Sequence, residues 1–320
     1  MTDNIESLLP GSQRIIDVCA AVQRGEEVVI VTDTDRDPVI AFALSQAAHA
    51  SGGTATILVT EPIPSGSEPP ATVAAALNAA NVIFAPTSGA LFHTSAVQLA
   101  SKNGARFLGL TMYTPDVLQH GGIFADFPAF APKAERLAVL LSDATRARVT
   151  TEAGTDISVR LDGRTAVPIT GMARQPGERT GCPDIEAFIA PIEGTAEGVV
   201  VVDASTSIAG VLDDPITITI EQGRAVTIVG GSQIGPIAEA LENAGIPEVF
   251  VLAELAFGLN PEGIIRGVIV EDEGVAGTGH IALGSNIHFG GANNAPLHLD
   301  FVFRQPRLWL DDHEVDLTSL

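Results

Sequence analysis

EEVVIVTDTDRDPVIAFALSQAAHASGGTATILVT, residues 26–60, reads as strand, helix and strand in close succession. The apolar run at 26–33 suits a buried strand, and 38–52 carries apolar residues at helical spacing until Gly52 and Gly53 stop it. Residues 54–60 return to β-forming residues. Strands alternating with helices of this length indicate a parallel sheet flanked by helices.

The same alternation extends in both directions. A helix is expected at 11–24, then after the proline-rich loop 61–70 a helix at 71–80, a strand at 81–86, a helix at 94–104 and a strand at 105–111. A helix at 132–144 closes this unit. Beyond it the pattern becomes short alternating strands around glycine turns, as in 147–167, 186–191, 198–205, 216–231, 248–258, 267–274, 279–284, 298–303 and 308–317. One helix, at 235–245, interrupts them. The expected organisation is a flavodoxin/Rossmann-like α/β domain over 1–147, followed by a β-rich α+β domain over 148–320. No internal repeat or low-complexity tract breaks it.

Composition narrows the function classes. Thirty-nine acidic residues against 17 basic ones give a formal charge of −22, and only Lys102 and Lys133 are lysines. Such a surface repels phosphate backbones and anionic lipid, which argues against nucleic-acid and membrane partners and leaves small molecules or metal ions. Two cysteines, Cys19 and Cys182, make no disulfide framework, and no basic, apolar leader or bilayer-length run stands out. A cytoplasmic protein is expected.

A nucleotide site finds no support. The loop after the first strand, TDTDRDP, contains neither a G-x-G-x-x-G nor a P-loop pattern. Asp33, Asp35 and Asp37 are read as caps for the helix that follows. His49, His93 and His120 default to capping or packing.

The β-rich half carries the chemistry. His298 and Asp300 are two residues apart on an expected strand, so imidazole and carboxylate share one face while Leu299 faces the core. His280 opens another apolar strand, and His288 falls in a glycine loop. Glu254 and Glu186 are acids inside apolar strands, where a lone carboxylate is costly without a cation or hydrogen-bond partner. Imidazole and carboxylate without thiolate suit zinc, manganese, cobalt or iron(II).

EAFIAPIEGTAEG, AELAFGLNP, EDEGVAGTGHIALGSN and HLDFVF occur in the order found in the aminopeptidase T family of metallopeptidases. The related 2,5-dihydroxypyridine 5,6-dioxygenases share that scaffold, and the resemblance covers nearly the whole chain. It implies a homodimer with a metal site between two domains, in which Glu186 and Glu254 match two glutamates and His298 and Asp300 the H-x-D pair. His280 aligns with a peptidase glutamate and Ser285 with a histidine, so the second ion of the peptidases loses two donors. What remains is one ion held by His280, His298 and Asp300 with Glu254 nearby.

Two reactions follow from the resemblance. In a hydrolase cleaving an amide bond of a small or short-peptide substrate, zinc, cobalt or manganese activates water. Glu186 or Glu254 is then the general base, with His93 or His280 assisting the leaving group. In an iron(II) dioxygenase acting on a hydroxylated pyridine, His93 and Ser285 contact the substrate. The peptidase-like glutamate of AELAFGLNP favours the hydrolase. A metal-stabilised binding module is the third reading, and the excess of carboxylates over what a closed structural site needs counts against it.

Overall fold

The computed structural model describes residues 5–65 and 67–320. The chain divides into two compact units, one of Met1–Ala129, Thr170–Asp184 and Pro261–Gly263, the other of Phe130–Ile169, Ile185–Asn260 and Ile264–Leu320. They are therefore not two consecutive stretches of chain.

In the first unit, α1 (Leu9–Arg14) precedes β1 (Glu27–Asp33), α2 (Pro38–Ala50), β2 (Thr54–Thr60), α3 (Ala71–Ala79), β3 (Val82–Ala85), α4 (Ser95–Lys102) and β4 (Arg106–Gly109). All four strands pair in parallel in the order β2-β1-β3-β4. Val29, Val31, Ile83, Ala85 and Phe107 of the sheet pack with Val73, Leu77, Val97 and Ala100 of the helices. Each larger side chain so buried contributes about 1.5–3 kcal/mol. The helix expected over 11–24 ends early, because α1 passes into a π-turn at Ile15–Cys19. Asp37 caps α2 by accepting the Val39 N–H, whereas Asp33 turns away to accept the backbone N–H and hydroxyl of Ser88 at 2.6 and 2.7 Å.

The chain enters the second unit at Phe130, within the first turn of α5 (Phe127–Asp143), a helix that starts five residues before the expected position and takes Pro132 inside it. There it forms β5 (Arg146–Thr150), β6 (Asp156–Arg160) and β7 (Val167–Ile169). It returns to the first unit for β8 (Arg179–Gly181), which adds a fifth parallel strand beside β4 and completes the flavodoxin-like strand order. Three residues of ordinary loop composition gave that strand no periodicity to be read from.

The second unit then adds β9 (Glu186–Ile189), β10 (Glu197–Val202), β11 (Ser205–Thr206), β12 (Gly210–Val211), β13 (Ile216–Glu221) and β14 (Arg224–Val229). After α6 (Ile234–Ala244) come β15 (Leu252–Gly258), the short α7 (Ile269–Asp272), β16 (Thr278–Gly284), β17 (His298–Arg304), β18 (Arg307–Leu310) and β19 (His313–Val315). These strands make two antiparallel-paired seven-stranded sheets, ordered β14-β13-β10-β6-β5-β18-β19 and β12-β11-β17-β16-β15-β9-β7. The strand expected at 267–274 is α7 instead. Glu271 and Asp272 fold back to accept the N–H groups of Ile264, Arg266 and Gly267, which closes a helical turn in place of a ladder. Among the described residues no helix is long and apolar enough to cross a membrane.

Candidate metal centre

Strand register decides which side chains meet. In β15, β16 and β17, Glu254 lies opposite Ala282, and Ala282 opposite Asp300. Residues directly opposite across a ladder share a face, and so do residues two apart along a strand. His280 and His298 therefore join Glu254 and Asp300 on one face of the sheet. On β9, Glu186 lies opposite Gly258, four residues along β15 from Glu254, and so occupies the same face. Ala256 and Ala282 offer only methyl groups between them, which leaves room for the longer side chains to converge. Leu299, between the H-x-D pair, is buried.

The contacts are those of a cation-binding cluster. His298 Nε2 lies 3.2 Å from both Glu254 Oε2 and Asp300 Oδ1. His280 Nε2 lies 3.3 Å from Glu254 Oε1, and its Nδ1 is 3.6 Å from Glu186 Oε2. Glu254 thus links the two imidazoles. His298 Nδ1 donates to the Ser285 carbonyl at 2.8 Å, which fixes the ring and turns Nε2 toward the carboxylates. Ser207 braces Asp300, its hydroxyl 3.2 Å from Oδ2 and accepting the Asp300 N–H at 2.7 Å. The residues are nearly all out of solvent, with Glu186, Glu254, His280 and Asp300 each below a tenth exposed.

A further carboxylate, Glu273, joins the face from the segment after α7. Donor atoms of Glu273, His280 and Asp300 lie within 4.8 Å of one another, as do those of Glu186, Glu254 and His280. Gly258 makes this approach possible, since a Cβ there would stand 2.3 Å from the Val275 carbonyl and 2.6 Å from that of Glu273. Glu273 is absent from the residues expected at the site, because 267–274 reads only as a short strand. Its spacing of seven residues from His280 was the available signal.

Electrostatics follow from the crowding. Burial pushes the Glu254 carboxyl up, but the hydrogen bonds and charges of His280 and His298 outweigh it and bring the pKa down to about 2. Asp300 is likewise lowered, burial being outweighed by the charge of His298 and its hydrogen bond. Burial opposes a charged His298, yet Asp300 and Glu254 hold its pKa well above the ordinary value. Glu273 goes the other way, raised by burial and by repulsion from Glu186, Asp300 and Glu254. Two imidazoles cannot neutralise this many buried carboxylates, and a divalent cation would offset the cost. His280 Nδ1 has no hydrogen-bond partner among the described residues, although the atom is buried. A donor set of imidazole and carboxylate without thiolate, with an unused ring nitrogen facing a carboxylate, fits such an ion.

Two expected site residues lie differently. Ser285 contributes through its carbonyl, while its hydroxyl donates to the Asn293 carbonyl at 3.3 Å. His93 lies in the first unit, half-buried on the loop that leads to Thr94, the N-cap of α4. His288 is exposed in the glycine loop.

The sequence matches the NicX, 2,5-dihydroxypyridine 5,6-dioxygenase, family over residues 12–317. The chain belongs to this family. A 2,5-dihydroxypyridine 5,6-dioxygenase of Pseudomonas putida is 28% identical over 243 residues, which span 72% of this chain and 68% of that protein. The structure of a 2,5-dihydroxypyridine dioxygenase from Pseudomonas putida KT2440 superposes with a TM-score of 0.80 at 22% identity, covering 96% of this chain and 94% of that one. Wild-type AmpT from Thermus thermophilus shares the fold at a TM-score of 0.67 and 17% identity, covering 95% and 94%.

These matches overturn the hydrolase reading. The amide-cleaving assignment rested on Glu254 as a peptidase-like glutamate, and the likeness to AmpT is one of fold alone. In the structure Glu254 binds two imidazoles at once, a contact that does not single out water activation. Membership of the dioxygenase family favours the other reaction considered over amide cleavage.

Proposed function

We propose that this protein is a metal-dependent ring-cleaving dioxygenase that acts on a hydroxylated pyridine of the 2,5-dihydroxypyridine class, with iron(II) as its metal. The observation that carries the reading is the single sheet face on which two imidazoles and a carboxylate converge, within a chain of the dioxygenase family. Two histidines and one carboxylate with open positions are the ligand inventory of non-haem iron(II) oxygenases.

His280, His298 and Asp300 would hold the ion, with Glu254 as a further oxygen donor or as the brace between the imidazoles. Bound iron(II) supplies the site at which dioxygen and a hydroxylated ring are brought together. The rest is positioning by the chain itself. The Ser285 carbonyl keeps the proton of His298 on Nδ1, so Nε2 is presented to the centre. Ser207 fixes the Asp300 carboxylate from behind. Phe289, edge-on to His298 at 5.6 Å and to Phe188 at 5.2 Å, supplies an aromatic edge beside the imidazole that suits a planar ring.

Anaerobic purification and metal analysis, followed by oxygen uptake with 2,5-dihydroxypyridine, tests this. One iron per chain and substrate-dependent oxygen consumption are expected. An iron-loaded protein that consumed no oxygen with any hydroxylated pyridine would refute it.

A further inference from the structure

The loop Ser285–Leu297 touches the candidate centre twice, through the Ser285 carbonyl on His298 Nδ1 and through the Phe289 ring on the His298 edge. Its conformation is wound around one side chain. The Asn286 carbonyl accepts the N–H groups of Phe289 at 3.2 Å and Gly291 at 3.1 Å, and its amide oxygen accepts the Asn293 N–H at 2.8 Å. The turn is so tight that a Cβ on Gly291 would fall 1.9 Å from the Asn286 side chain. Asn293 ties the far limb down, donating to the carbonyls of Gly284 at 2.6 Å and Glu248 at 2.8 Å.

Asn286 itself is set by a residue far away in sequence. Glu193 Oε1 accepts from Asn286 Nδ2 at 3.0 Å and from the Ala292 N–H at 2.7 Å. The other oxygen of Glu193 pairs with the Arg164 guanidinium, which also donates to the Gly290 carbonyl. One carboxylate therefore holds both ends of the turn, and one guanidinium holds that carboxylate to the loop's tip. Charge-assisted bonds of this kind are roughly twice as strong as neutral ones. Burial works against the charge on Glu193, but the Ala292 N–H, Asn286 and Arg164 bring its pKa below the ordinary value. Nothing in the bare strand architecture requires an acid at 193. Its contacts are spent on shaping the loop.

We propose that Glu193 is a positioning residue of the metal centre: through Asn286 and the Ala292 N–H it winds the loop 285–297 so that Ser285 and Phe289 set the orientation of His298. The role rests on the metal-centre reading and deepens it. Groups that orient a ligating histidine through its second nitrogen are worth about 10- to 100-fold in metal affinity.

The test uses the full chain, with zinc(II) as the probe in chelator competition, and the His298 Nδ1–H proton resonance of the metal-free protein as a second readout. Glu193→Ala is expected to lose about 10- to 100-fold in zinc affinity. It should also lose the slowly exchanging Nδ1–H signal. Glu193→Gln keeps an acceptor for Ala292 and should lose less on both counts, and it carries the test if the alanine variant does not fold. Ile218→Ala, buried in β13 of the other sheet, is the control for general destabilisation and should keep the affinity and the signal. Wild-type affinity and an unchanged His298 signal in a folded Glu193 variant would overturn the proposal. The proton signal is read without metal, so failure of the wild-type chain to bind zinc would break the functional reading while the signal still decides the role of Glu193.

Discussion

On the sheet β14-β13-β10-β6-β5-β18-β19 the charged side chains stand outward, as in the exposed pairs Arg148–Asp156 and Arg307–Glu314, and the inward positions are Val149, Ile157, Val159, Val200, Ile216 and Ile218. On β12-β11-β17-β16-β15-β9-β7 the strands β9, β15 and β16 are buried throughout and β17 is buried between its ends, and that buried surface holds Glu186, Glu254, His280 and Asp300. Both sheets belong to one unit and both pair antiparallel, so fold alone does not dictate the contrast. The first follows the solvation rule for a sheet with one wet face. The second breaks it at a cost that mutual ion pairing within the cluster only partly offsets, which is the mark of a surface kept for binding.

The sharpest way to break this comparison is to remove ligands. His298→Ala and Asp300→Ala should each lower affinity for a divalent metal by more than the roughly 100-fold seen for residues one shell out. Oxygen-consuming activity should go with it. If both variants kept full metal content, the polar face would not be a metal centre.

The counterpart on the other sheet is Ile218→Ala, fully buried in β13. It should cost about 2–5 kcal/mol in stability by leaving a cavity, measured by denaturant unfolding, with unchanged metal affinity at temperatures where the variant is folded. Coupling of metal binding to this substitution would show that the two sheets are not independent in the way their side chains suggest.

Much of this contrast was legible in the sequence. Apolar runs containing one charged residue, such as AELAFG and HLDFVF, announce a carboxylate or imidazole that needs a partner, and period two placed His298 and Asp300 on one face. The parallel first sheet was legible because its helices and strands are long enough to show their periods. What stayed hidden depended on pairs distant in the chain. Glu273 joins the centre only because Gly258 lets its segment approach β15, and Glu193 reaches Asn286 across 93 residues. Ser285 is expected as a substrate contact, whereas the atom that meets His298 is its backbone carbonyl, and no side-chain type encodes that. The choice between two reactions was also out of reach, since the same donors serve both.

Protonation sharpens the comparison next. The folded pKa of His298 is raised, so its pairing with Asp300 and Glu254 contributes stability that is fully present below the unfolded histidine value of about 6.5 and is lost as pH rises through the folded value. The raised pKa favours a protonated ring in the metal-free protein, and capture of an ion at Nε2 releases that proton. Calorimetric zinc titrations in buffers of different ionisation enthalpy should show proton release at pH 7, smaller in His298→Ala. Metal affinity should rise with pH over the same range. A wild-type titration with no proton release would mean that the ring is neutral and the electrostatic account of the cluster wrong.

The smallest effect is expected where the first sheet displays its charges. Arg148 Nε and Nη2 reach both oxygens of Asp156 at 2.8 and 2.7 Å, a two-pronged geometry on paired strands β5 and β6. Both side chains are more than half exposed, so water screens the pair and the ordering of two side chains opposes it. The contact lowers the pKa of Asp156 chiefly through its hydrogen bond to Arg148, outweighing a small burial effect in the other direction. Asp156→Asn should therefore leave the melting temperature and the metal affinity at wild-type values at moderate salt, with a slight loss emerging only at low ionic strength. The equivalent change at Asp300 falls on a buried carboxylate paired with a half-buried imidazole and braced by Ser207, rather than on an exposed carboxylate paired with a solvated guanidinium. A large loss from Asp156→Asn would show that ion pairs on the two sheets count alike, and burial would no longer explain why one set of acids converges with imidazoles in the candidate centre and the other decorates a surface.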